Sequence, residues 1–182
     1  MARVKGTILV DFVKTIRADK TGAYDSYLTD EDRRIISERI LPSGWYPYDT
    51  FKRCFNAVVA VLAKNDMEKV RQWGRIYGEN IITNVYKGFI KQGAPMESLK
   101  KYSTYIRNLF DFGEFIVEPV SENEAFIIVR GLDKDFEPQY HMMRGWLERS
   151  LELCGAKDIK VEVISLEWEG APETKSRISW KI

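Results

Sequence analysis

The 182-residue chain predicts an α+β fold, with N-terminal helices packed on a twisted antiparallel sheet of about four strands in the order helices-β-β-α-β-β. Three observations predict it. Apolar residues recur at helical spacing through residues 1–110. Beyond residue 111 the period falls to two, so that Ile178, Trp180 and Ile182 alternate with Arg177, Ser179 and Lys181. One helix-like run, Pro138–Cys154, separates two strand pairs. Residues 1–182 therefore read as a single α+β domain, mostly helical over 1–110 and β-β-α-β-β over 111–182.

The first helix is expected from Val4, Ile8, Leu9, Phe12, Val13 and Ile16, ending near Asp19–Gly22. Thr29 precedes three acids, Asp30-Glu31-Asp32, which is a helix start: the hydroxyl caps an orphan N–H and the acids face the positive end of the dipole. Leu41-Pro-Ser-Gly-Trp-Tyr-Pro reads as a tight loop, with Pro47 in the first turn of a third helix whose stripe is Phe51, Phe55, Val58, Val59 and Leu62. Asn65-Asp66 caps a long fourth helix, Met67 to about Lys91, carrying Val70, Trp73, Tyr77, Ile81, Val85, Tyr86 and Phe89. Gly74 and Gly78 put two missing side chains on one face of it, a loss of roughly 1 kcal/mol each against Ala. Close packing, a kink, a ligand or a partner helix would each offset that loss. Gln92-Gly93-Ala94-Pro95 starts a fifth helix with Met96, Leu99, Tyr102, Ile106 and Leu109 in register. The strands follow: Glu114–Val120, Ala125–Gly131, Asp158–Glu169 and Lys175–Ile182, with a phase shift that predicts a bulge near Val163–Ser165.

Composition excludes several classes. A formal charge of +1 supplies no basic face for nucleic acid. No long apolar segment spans a membrane, and no signal peptide is read, so the chain is expected to be cytoplasmic with free thiols at Cys54 and Cys154. Nucleophilic catalysis of the Ser–His or Cys–His kind needs a histidine, and His141 is the only one. One His and two dispersed Cys make no zinc site, and no GxxxxGK or GxGxxG stretch occurs. No catalytic and no metal residues are assigned, and the chain is read as non-enzymatic.

Gly6 with the Leu41–Pro47 loop, Asp111-Phe-Gly-Glu, Arg130-Gly, Gly145-Trp-Leu-Glu-Arg-Ser-Leu-Glu-Leu-Cys-Gly-Ala-Lys-Asp and the final Gly170…Trp180 hairpin resemble a bacterial family of unknown function. That family is similar to a wider superfamily of 4-vinyl reductase domains, haem-based nitric-oxide sensor domains and transport protein particle subunits. The resemblance implies helices on one side of a twisted antiparallel sheet, and an apolar ligand enclosed between them. The haem sensors use a His in the helix before the sheet and a Tyr-x-Ser-x-Arg motif. Here Met96–Phe110 holds no His and the motif is absent, so no cofactor is expected and haem is set aside. The last hairpin also lacks the cysteine pairs of the reductase-type domains.

The resulting expectation is a module that binds a small apolar ligand and signals by protein association, as a homodimer or with another protein. Its pocket residues would be Trp73, Tyr77, Ile81, Tyr102, Tyr105 and Trp146. Trp45, Tyr46, Tyr48, Gly74 and Gly78 would form the interface. The alternatives are a ligand-free interaction domain and, last, a haem-based gas sensor.

Overall fold

The computed structural model describes residues 2–84, 88, 90–131, 135 and 137–182. Within these the chain forms two compact units: residues up to Met67 with Asn108–Phe112, and Glu68–Arg107 with Gly113–Ile182.

The first unit contains β1 (Arg3–Lys5), α1 (Gly6–Ala18), α2 (Asp30–Ser37), β2 (Trp45–Pro47) and α3 (Tyr48–Val58). The sequence predicts helix from Val4 and a loop through Trp45. Instead β1 and β2 pair antiparallel, Val4 opposite Tyr46, as a small second sheet. This corrects the expectation of one sheet, and three-residue strands are too short to show a period. Pro47 accordingly ends β2, and α3 begins one residue later. Position 6, the first of α1, requires glycine because a Cβ there would lie 2.1 Å from the Leu41 carbonyl oxygen.

Thr29 and Asp32 form the capping box of α2. Asp32 is fully buried, and Arg53 of α3 grips its carboxylate at 2.6 and 2.9 Å. Burial alone would raise its pKa, but Arg53, Thr29 and Thr50 together hold it at about 2. Phe12, Phe51 and Phe55 pack edge to face or tilted, with centroids 5.0–6.0 Å apart. After α3 the helix widens to a π segment, Val59–Ala63, and stops at Lys64 and Asn65, both with positive φ. The widening moves Leu62 off the predicted stripe, leaving it exposed.

The second unit carries α4 (Met67–Asn84), α5 (Pro95–Leu109), β3 (Glu114–Ser121), β4 (Glu124–Arg130), α6 (Glu137–Leu153), β5 (Lys157–Ser165) and β6 (Thr174–Lys181). The expected extension of α4 through Val85, Tyr86 and Phe89 lies outside the described residues. The four strands make one antiparallel sheet in the order β3-β4-β6-β5. The register slips between Val163 and Ser165, where the phase change predicted a bulge. On β6, Thr174, Ser176, Ile178 and Trp180 are buried while Arg177 and Lys181 are exposed, so the alternation selects one inner face. Ala125 of β4 stands opposite Ile178 on that face. Among the described residues no helix is long and apolar enough to cross a membrane.

Candidate functional site

The sequence gives α6 two different faces. Gly145 sits at its middle, where a Cβ would lie 1.9 Å from the carbonyl oxygen of Arg71. The relation is reciprocal: a Cβ on Gly74 of α4 would lie 1.9 Å from the Met142 carbonyl oxygen, and one on Gly78 would lie 1.7 Å from Trp146 Cδ1. The two helices thus meet backbone to backbone, which explains glycine in both interiors. The Gly74/Gly78 face, expected as a surface for a second subunit, is covered by α6 of the same chain.

Charges stitch this contact along its edge. Glu148, with 8% of its side chain exposed, accepts from Arg71 and from Arg144 at 2.8 Å, and Arg75 lies 3.6 Å away. Arg75 and Arg149 both reach Glu152, at 2.8 and 2.9 Å, and Arg149 also holds Glu79 at 2.9 Å. Burial opposes ionisation of Glu152, yet Arg149 and Arg75 leave its pKa below the usual carboxylate range.

The opposite face of α6 lies over the sheet and is less full. Tyr140, Met143, Arg144 and Leu147 cover a cavity of about 30 Å³ whose other walls include Tyr102 of α5, Phe115 of β3, Ile127 and Val129 of β4 and Ile178 of β6. That is room for about two waters or a few carbon atoms. The lining is almost wholly apolar. The Tyr140 hydroxyl and Ser176 Oγ are bonded to each other at 2.8 Å. Tyr102 is 1% exposed and its ring is clamped by Phe115 and Trp146, at 4.8 and 4.1 Å between centroids. Its hydroxyl is buried with no hydrogen-bond partner. Burial, then neighbouring Tyr105, hold this phenol well above its ordinary pKa, so it stays a neutral donor. An unpaired buried hydroxyl costs about 1–3 kcal/mol and asks for an explanation.

The residues expected to line a pocket are distributed differently. Tyr102 lines the cavity. Trp146 and Tyr105 are buried beside it with ring centroids 5.0 Å apart. Trp73, Tyr77 and Ile81 are half-buried along one side of α4 and are not part of the lining. Phe115, Ile127, Val129, Leu147 and Ile178 were not anticipated. The inward phase of each strand, and the spacing of Tyr140, Met143 and Leu147 on α6, were the signals that could have found them.

In the first unit, Trp45 is 37% exposed, with Lys5 Nζ 4.2 Å above its ring. The Tyr46 hydroxyl accepts from the Leu41 amide at 2.8 Å, and Tyr48 is buried against Phe112. The loop is therefore tied to its own unit, with Trp45 as its exposed aromatic residue.

Three other groups have metal-ligand chemistry. Burial pushes the Cys54 thiol up to about 12 and raises that of Cys154, so neither offers a thiolate. His141 is half-buried on α6, and burial lowers its pKa, leaving a neutral imidazole at pH 7. Among the described residues no three His, Cys, Asp or Glu converge.

Residues 37–181 match a family of proteins of unknown function, DUF2378. No curated protein matches the chain. Solved structures do. An Fe(II) unliganded H-NOX protein from K. algicida is similar with TM-score 0.66 at 14% identity, over 98% of this chain and 97% of that one. An oxygen-binding H-NOX domain related to soluble guanylate cyclases, in its oxygen complex, gives TM-score 0.65 at 23% identity, over 98% and 95%. A structure probing haem distortion in the H-NOX family gives TM-score 0.65 at 22% identity, over 98% and 95%. At these identities the likeness is one of fold: helices with an antiparallel sheet, as H-NOX domains have. It also corrects the expectation of no cofactor. That expectation rested on missing sequence motifs, whereas solved domains of this fold carry iron and haem.

Proposed function

We propose that this chain, which belongs to the DUF2378 family of proteins of unknown function, is a sensory module that binds a small apolar ligand beneath α6. It acts by binding and protein association, not by catalysis, and works in the cytoplasm. Its kinship extends to the 4-vinyl reductase and transport-particle domains that its sequence resembles. The observation that carries the reading is the apolar cavity beneath α6, lined by Tyr102, Phe115, Ile127, Val129 and Ile178. The ligand's carbon atoms fill that apolar space. The H-NOX fold, whose solved examples bind oxygen and haem, supports a sensory role. Titration with 1-butanol, followed by methyl NMR, tests the site. Saturable shifts are expected at Ile127, Val129 and Ile178 and lost in Leu147→Trp, which fills the cavity. Absence of saturable shifts in the wild type overturns the reading.

A second reading adds haem, and His141 is the residue that favours it. It supplies a neutral, half-buried imidazole, the donor type that holds haem iron in many proteins, while both thiols are protonated. The cavity of about 30 Å³ is too small for a porphyrin. His141 would be the residue that holds the group, which when bound would supply an iron site for a diatomic gas. Reconstitution with hemin should give a Soret band that shifts in His141→Ala. No band, or a band unchanged in that variant, removes this reading.

A further inference from the structure

We infer that two copies of this chain pair along the free edge of β5, antiparallel and about a two-fold axis at Val161, joining their four-stranded sheets into one. The inference rests on the protein association proposed above and names both the partner and the surface.

β5 ends the sheet order, so one of its edges pairs with β6 and, among the described residues, no strand pairs with the other. Such an edge is a row of backbone N–H and C=O groups ready to receive a strand. The two edges of the sheet differ. β3 carries Pro119 with a slip of register beside it, and both features blunt an edge. β5 has no proline, and its slips lie toward its ends, between Lys157 and Lys160 and between Val163 and Ser165. Residues 160–163 between them keep a regular register with residues 176–179 of β6. Val163 and Ile164 are 41% and 51% exposed, apolar surface on an edge strand that a partner strand would cover.

The residues of this edge complement themselves. With Val161 opposite its own counterpart, Lys160 meets Glu162 twice and Ile159 meets Val163 twice. Opposite charges facing each other across an antiparallel pair stabilise it, and like charges destabilise it. A slip of two residues one way sets Lys160 against Lys160 and Asp158 against Glu162. The same slip the other way sets Glu162 against Glu162. Charge therefore selects the register centred on Val161. Both charges are available. Neither Lys160 nor Glu162 forms an ion pair among the described residues, whereas nearby Arg177 and Asp158 are held by Glu124 and Lys181 at 2.9 and 2.8 Å. Val161 also lines the cavity beneath α6, so one strand serves the cavity and the second copy. A two-fold contact of this kind closes at two copies. It uses one short strand from each, so it is smaller than a standard interface of about 1,600 Å², and the dimer should dissociate in the micromolar range or above.

Sedimentation equilibrium on the full chain, from about 10 μM to about 1 mM, should show a monomer–dimer equilibrium. Lys160→Glu leaves two acids at these positions and Glu162→Lys leaves two bases, so each variant alone should dimerise about tenfold more weakly. Mixed one to one, the variants regain both opposite-charge contacts and should dimerise within about threefold of the wild type. A wild type that stays monomeric throughout overturns the inference. So does dimerisation unchanged in both variants, or a mixture no more dimeric than its components. The methyl shifts with 1-butanol are read separately. Their presence in a monomeric wild type overturns the pairing and leaves the binding role standing, and their absence in a dimeric one overturns the binding role and leaves the pairing standing.

Discussion

The two faces of α6 come from the same 17-residue helix and follow opposite designs. Toward α4, glycines bring backbones into contact, and alternating Arg and Glu residues close the edge. Toward the sheet, bulky side chains leave a small apolar void and a hydroxyl with nothing to bond. The first face has no slack, because close-packed backbone cannot yield. The second retains free volume, with the Tyr102 hydroxyl buried and unpaired. Adaptability in this unit therefore lies on the sheet side of the helix, with the α4 side as its fixed reference.

The contrast can be broken most sharply at the glycines. Gly74→Ala or Gly145→Ala should cost about 3 kcal/mol in urea unfolding, since each new methyl meets a carbonyl oxygen at 1.9 Å. A near-neutral result would mean the closed face is not closed. Glu148→Gln should cost about 2 kcal/mol by the same measurement, because three guanidinium groups lose their shared, nearly buried carboxylate.

Acid should act next. Glu152 has a pKa below its unfolded value, so its contribution is present above the ordinary carboxylate pKa and is lost as pH falls below that through the lowered folded value. Hydrogen exchange should then quicken in α4 and α6 before it quickens in β4 and β6. Equal quickening would show that the charge ladder does not distinguish the two faces. The smallest effect belongs to Tyr102→Phe, which removes the unpaired hydroxyl and should be neutral or stabilising by up to about 1 kcal/mol. A destabilisation beyond that would reveal a partner for the hydroxyl.

Much of the architecture was legible because it is written locally. The capping box at Thr29, the alternation of β6 and the bulge near Val163 each depend on residues within one turn or one strand pair. The N-terminal sheet was not legible, since β1 and β2 pair residues some forty positions apart through strands of three. Leu62 was misplaced because a π turn has no signature in an apolar period. Of the six residues expected to line a pocket, Tyr102 is the one that lines the cavity among the described residues. Tyr140, Met143, Arg144 and Leu147 were not named, because their spacing on α6 does not say which distant surface they meet.

The sequence by itself determined the cap of α2, the helices α5 and α6, the four strands of the larger sheet, and that Gly74 and Gly78 share a face. These follow from side-chain periodicity and capping, which act over a few residues. Only the tertiary structure decided that this face receives α6, that Glu148 gathers three arginines, and that Tyr102 and Arg144 border one void. Those outcomes depend on which distant surfaces meet, and close packing between them is settled by shape in three dimensions and not by spacing along the chain.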